Sequence, residues 1–187
     1  ELVARDPEAT QFLIKRCAEL HLNQIARGGD PFEKGSARPL DFGHWLAHRL
    51  ESLSEHELLH GEAVSIGIAM DVALSVVKVG LSKMKAEAVL SLLRSLKLPV
   101  WNELLEICVQ EAKQVSMGGL DSKPSEVGPL RQLSQGLEDF RQHLGGALHL
   151  DLLKTPGQSV SVSEVSSLEL AQALTLLHQY KETTEPL

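Results

Sequence analysis

Aromatic side chains are scarce in this sequence, only 4% of 187 residues. That excludes a core of stacked aromatic strands; Leu, Val, Ile and Ala must fill the interior, a composition that favours packed helices. Positive charge is also short. A formal net charge of −7 leaves no basic face to neutralise phosphates, which excludes a nucleic-acid partner. Cysteine occurs twice, as Cys17 and Cys108, far apart and each inside an apolar helical pattern. Such a pair reads as two buried thiols rather than a disulfide, which suits a reducing cytoplasm. No basic stretch leads into an apolar run at the start, so no signal peptide is expected. The longest apolar run, residues 63–77, contains Asp71 and is too short to cross a bilayer. It reads as a buried helix, and no membrane partner is expected.

What is present is an ordinary globular share of apolar residues, 43%, enough for one domain over residues 1–187. Asp6-Pro7-Glu8 starts a helix that carries Phe12, Leu13, Cys17 and Leu20 at helical spacing to about Ile25. Gly28 and Gly29 break it, and a polar loop holding Glu33 and Arg38 follows. Phe42 to Leu53 forms a second helix, His60 to about Gly80 a third. Ser82 caps a fourth helix through Leu96, and Asn102 a fifth to about Val115. Residues 116–129 lack periodicity and read as a surface loop. A short helix over Leu130 to His143 stops at Gly145-Gly146. Alternation of Leu148, Leu150 and Leu152, then Val160 and Val162 beyond Thr155-Pro156-Gly157, predicts a hairpin. Ser166 and Glu169 form a capping box for a last helix to about Tyr180. The expected fold class is mainly α with one small β-hairpin.

His44, His48 and His60 crowd into one short stretch. His44 and His48 lie four apart, hence on one helix face, and imidazole is the commonest side-chain metal ligand. Gly43 and Gly61 beside the first and last of these suggest close backbone approach. A partly exposed polar face would give the same spacing, so the pattern alone leaves both readings open.

The stretch Asp41-Phe42-Gly43-His44-Trp45-Leu46-Ala47-His48, followed by Leu59-His60-Gly61-Glu62-Ala63-Val64, resembles the paired signature of the 3-dehydroquinate synthase family of sugar phosphate cyclases. Those enzymes carry N-F-G-H-x-x-G-H and then L-H-G-E-A-V at this separation. The resemblance implies the helical C-terminal domain of that fold, with His44 and His60 as two ligands of a catalytic divalent metal, usually zinc. It implies that His48 stands beside the substrate near the acid–base chemistry, and that Glu33 and Arg38 contact metal-bound substrate. It also implies NAD as cofactor, with phosphate elimination and aldol closure to a carbocycle. A metal chelating vicinal oxygens suits that chemistry because alkoxide and enolate charge develops there.

The departures are informative. Asp41 replaces the family asparagine; it would repel a substrate carboxylate but accept hydrogen bonds from a sugar hydroxyl. His21 stands nearest the place of a family lysine, and Arg141 with Gln142 where the family has a basic pair, so Arg141 is the expected phosphate contact. An uncharged sugar phosphate is therefore the expected substrate. No strand, Gly-rich turn and helix that would hold NAD is present, so the N-terminal NAD-binding domain, which also supplies a glutamate ligand, is expected as a partner. A homodimer is the other expected assembly, and the chain alone is expected to be inactive.

Other residues read more plainly. Glu62 favours its helix N-terminus, Phe42 and Trp45 pack, and Glu87, Arg94 and Lys97 form a solvated face. Lys154 and His149 are expected to be exposed, while His21, His56, His143 and His178 are assigned no role. Two other functions compete: the C-terminal domain of a glycerol or iron-type alcohol dehydrogenase, and a non-catalytic helical interaction domain. A fragment should expose apolar area near His44 and His60; a standalone module should not.

Overall fold

The structure, a computed structural model, describes residues 1–27, 39–118 and 128–182. Glu33 and Arg38 lie outside the described residues, as does most of the expected loop after residue 116. Seven helices and one hairpin make up the described fold: α1 (Pro7–Arg27), α2 (His44–Leu53), α3 (His60–Val79), α4 (Lys83–Ser95), α5 (Glu106–Gly118), α6 (Pro129–His143), β1 (Leu150–Thr155), β2 (Gln158–Val162) and α7 (Ser167–Glu182). The fold is mainly helical, as the composition dictates.

The apolar run became the axis of the molecule. In α3 eleven residues from Ala63 to Ser75 are buried, and α2, α4, α7 and β1 all pack on this helix. With almost every face covered, α3 needs no polar stripe, which is why its sequence shows none. Aliphatic side chains fill the interior, Leu46, Leu50, Ile66, Met70, Leu74, Leu90, Leu105 and Leu133 among them, with Trp45 the one fully buried large aromatic among the described residues.

Helix starts follow the local chemistry. The Ser82 hydroxyl accepts from the Lys85 amide at 3.4 Å, and the Asn102 side chain accepts from the Leu104 amide at 2.9 Å. Asn102 opens a 3-10 turn over Glu103–Leu105 that runs into α5. The box at α7 is reciprocal: the Ser166 hydroxyl accepts from the Glu169 amide at 3.2 Å, and the Glu169 carboxylate accepts from the Ser166 amide at 2.8 Å. The hairpin pairs Leu150 with Val162 and Leu152 with Val160, and Gly157 takes a left-handed φ of 84° in the turn. Leu150 and Leu152 face the core. Ser75 fastens β1 to α3, its hydroxyl accepting from the Leu153 amide at 2.9 Å and donating to the Asp71 carbonyl at 2.6 Å.

Several expectations are corrected. Cys17 is exposed, because none of residues 7–26 is buried and α1 stands off the body; only Cys108 is a buried thiol, its pKa pushed up to about 11 by burial and then by Glu111. Residues 116–118 continue α5 rather than opening a loop. Arg94 is half-buried and donates to the Tyr180 carbonyl at 2.8 Å, so it joins α4 to α7 rather than facing water. His178 is buried, 3.1 Å from Glu106, with its ring edge-on to Trp101 at 5.3 Å. Lys154 is exposed as expected, with its ammonium on the Val79 carbonyl at the end of α3.

A candidate metal centre at the junction of two helices

Gly43 sits at the start of α2 with a left-handed φ of 84°, and its backbone lies directly on α3. A Cβ on Gly67 would fall 1.8 Å from the Gly43 carbonyl oxygen, so only glycine fits there. This contact sets α2 against α3 and brings the first turn of each helix together. His44 opens α2 and His60 opens α3. Their ring centres are 5.6 Å apart; the His48 ring lies 5.8 Å from His44 and 6.3 Å from His60. The three rings form one cluster.

The nitrogen atoms are differentiated. His60 Nδ1 lies 3.1 Å from a Glu51 carboxylate oxygen, and His44 Nδ1 lies 3.4 Å from the Phe42 carbonyl. With the proton on Nδ1 in each ring, both imidazoles donate to a nearby oxygen and keep the Nε2 lone pair available to an ion. The Glu62 carboxylate accepts from the Leu59 amide at 3.3 Å, fixing the start of α3 in addition to favouring its dipole.

These donors fit a divalent ion. Two imidazoles bound to one tetrahedral zinc at ~2 Å place their ring centres roughly 5 Å apart, close to the 5.6 Å between His44 and His60. Among the described residues no set of three or more His, Cys, Asp or Glu side chains is arranged to hold an ion by itself. The pair would leave the remaining positions of a tetrahedral ion to water or to a further donor.

A cleft of about 230 Å³ adjoins the cluster, lined by Trp45, His48, Arg49, Asp139 and His143 among others. His143 ends α6, and α6 approaches α2 closely: a Cβ on Gly136 would meet Arg49 at 3.0 Å, and Arg49 Nε donates to the Gln132 carbonyl at 3.0 Å. Burial first, then the His44 ring, hold the His48 pKa below its ordinary value, with Glu51 opposing. His143 lowers it slightly further. Sequence reasoning missed His143, since nothing in its own neighbourhood points to His48; only the packing of α6 on α2 does.

Asp41 is half-buried at the end of a 3-10 turn over Pro39–Asp41. It faces β1, where Asp151 has a raised pKa caused by burial and then by the Asp41 charge. Arg141 is engaged elsewhere: it grips both oxygens of Glu138 and donates to the Gly146 carbonyl. His143 and Asp139, not Arg141, are the polar α6 side chains that line the histidine cleft.

The sequence matches the model of the 3-dehydroquinate synthase C-terminal family over residues 1–120. It is 44% identical over 72 residues to the 3-dehydroquinate synthase of Aeropyrum pernix, covering 38% of this chain and 20% of that protein. It is 32% identical over 101 residues to the enzyme of Pseudoalteromonas atlantica, covering 54% of this chain and 28% of that one. The fold resembles a 2-epi-5-epi-valiolone synthase of Streptomyces hygroscopicus, solved with NAD+ and Zn2+ bound, at a TM-score of 0.70 and 24% identity over 93% of this chain and 41% of that one. The chain thus spans between a fifth and two fifths of these proteins' lengths.

Proposed function

The chain belongs to the 3-dehydroquinate synthase C-terminal family, and from that footing we propose that it is the metal-binding half of an NAD-dependent sugar phosphate cyclase, a carbon–oxygen lyase. The observation that carries this reading is the convergence of His44 and His60 at 5.6 Å with both Nδ1 atoms directed at fixed oxygens. His44 and His60 would hold the metal, and a glutamate from an NAD-binding domain would supply the missing donor. When bound, the metal polarises vicinal hydroxyl oxygens and NAD accepts and returns a hydride.

The chain's own side chains have distinct tasks. Glu51 and the Phe42 carbonyl keep the two ligand rings in one tautomer and orientation. His48 stands beside the ligands with a lowered pKa, so it is largely neutral near pH 7 and takes up a proton from a substrate hydroxyl. His143, across the cleft, is a second candidate for substrate contact. Asp41 accepts from a sugar hydroxyl and disfavours a substrate carboxylate, which argues for a sugar phosphate without a carboxylate group. Glu33 and Arg38 are assigned to substrate contact by the sequence motif alone, and Arg141 is available for phosphate only if it leaves Glu138.

The surface supports a half-enzyme. Leu59, adjacent to His60, is 67% exposed, and α1 carries Phe12 at 71% and Ile14 at 65%. Apolar area of this kind is expected where a second domain belongs. The test is calorimetric titration with zinc: the chain binds one equivalent, and His44→Ala and His60→Ala each weaken binding at least tenfold. Absence of zinc binding, or binding indifferent to both substitutions, would overturn the metal assignment. Joined to an NAD-binding domain, the chain should release phosphate from a sugar phosphate and form a carbocycle. Net NADH production would instead indicate a dehydrogenase.

A further inference from the structure

Asp71 is the one carboxylate buried in the middle of α3, fully enclosed and eleven residues beyond His60. Eleven helical residues span ~16 Å, three turns. Its two oxygens are used separately. Oδ2 accepts from the Gly43 amide at 2.7 Å, and Oδ1 accepts from the Trp45 indole N–H at 2.6 Å. These two residues flank His44. The turn they form has no side-chain cap of its own at Gly43.

A buried carboxylate is costly, and a hydrophobic residue would serve packing alone at least as well. We propose that Asp71 is a positioning residue for the metal centre: from α3 it clamps the residues on both sides of His44, so that one rigid helix carries His60 directly and sets the place of His44. The Gly43–Gly67 contact fixes the distance between the two backbones, and the Asp71 clamp fixes the rotation of the turn. The first without the second would leave the His44 ring able to swing while α2 stays in place. This inference rests on the assignment of His44 and His60 as ligands.

Asp71→Asn keeps the size but offers one acceptor for two donors, so an amide NH2 confronts either Gly43 or Trp45. Trp45→Phe removes one donor and leaves the carboxylate on Gly43. Leu90→Ala, a core truncation on α4, lowers stability without touching the turn. Zinc affinity and the visible spectrum of the cobalt-loaded chain are measured for all four proteins. Asp71→Asn is expected to weaken zinc binding tenfold or more and to alter the cobalt bands, Trp45→Phe to give a smaller loss, and Leu90→Ala to retain wild-type affinity. Unchanged affinity and spectrum in Asp71→Asn, or an equal loss in Leu90→Ala, overturn the proposal. If Asp71→Asn does not fold, Trp45→Phe decides by the same criterion. If the wild-type chain takes up neither metal, the ligand assignment fails while the clamp is still tested by the imidazole NMR resonances. Movement of His44 well beyond that of His60 in Asp71→Asn upholds the clamp, and no movement refutes it.

Discussion

Gly67 and Asp71 illustrate how little separates packing from function at the level of single side chains. Gly67→Ala puts a methyl group 1.8 Å from the Gly43 carbonyl oxygen. Expected is a loss of about 3 kcal/mol in urea denaturation, the range of an overpacked core. Asp71 has a different signature. Burial pushes its pKa up to about 7, against the lowering effect of the Trp45 and Gly43 bonds. An acid whose pKa is raised by folding stabilises the fold below its unfolded value and loses that contribution as pH rises through the folded value. The metal-free chain should therefore lose stability between about pH 4 and 7, by up to ~1.4 kcal/mol per pH unit from this group. Asp71→Asn should remove that part of the slope in denaturation curves taken across the range. At this scale the clustering of His44, His48 and His60 was legible, because their motif is local. It was not for His143, His178 or Arg94, because each finds its role across a helix interface: His48 on α2, Glu106 on α5 and the Tyr180 carbonyl on α7.

Among the elements, boundaries were legible wherever a capping residue sets them. Ser82, Asn102 and Ser166 each make the bond that their position before an apolar run suggests. The cap at α7 is the strongest of these, because Glu169 also receives the Lys78 ammonium at 2.8 Å and so joins the start of α7 to the end of α3. Ser166→Ala should cost about 1 kcal/mol in thermal or urea unfolding, more than Ser82→Ala, whose single bond is longer and has no reciprocal partner. The hairpin was readable from alternation alone, since one face of β1 lies on the core. The end of α5 was not. Ser116 and Met117 are poor indicators of continuation, and the helix runs on because Val115 and its neighbours pack against α6 and α7.

For the molecule as a whole, the helical class and the buried apolar helix followed from composition, but the place of α1 did not. Periodicity in Phe12, Leu13, Cys17 and Leu20 correctly marks a helix and says nothing of what covers it. A helix without a docked face relies on its own marginal propensity. Trypsin under native conditions should therefore cleave first at Lys15 or Arg16, both exposed, before any site in α3 or α7. Mass analysis of the first fragments checks this, and initial cleavage inside α3 would contradict it.

The two helices that meet at Gly43 and Gly67 touch backbone to backbone, with no side chain between them to act as a cushion. Such a joint transmits displacement rather than absorbing it. A push on the far end of α3, where β1 and α7 are fastened through Ser75 and Lys78, would reach the imidazoles almost undiminished. The hairpin and last helix belong to the same lever.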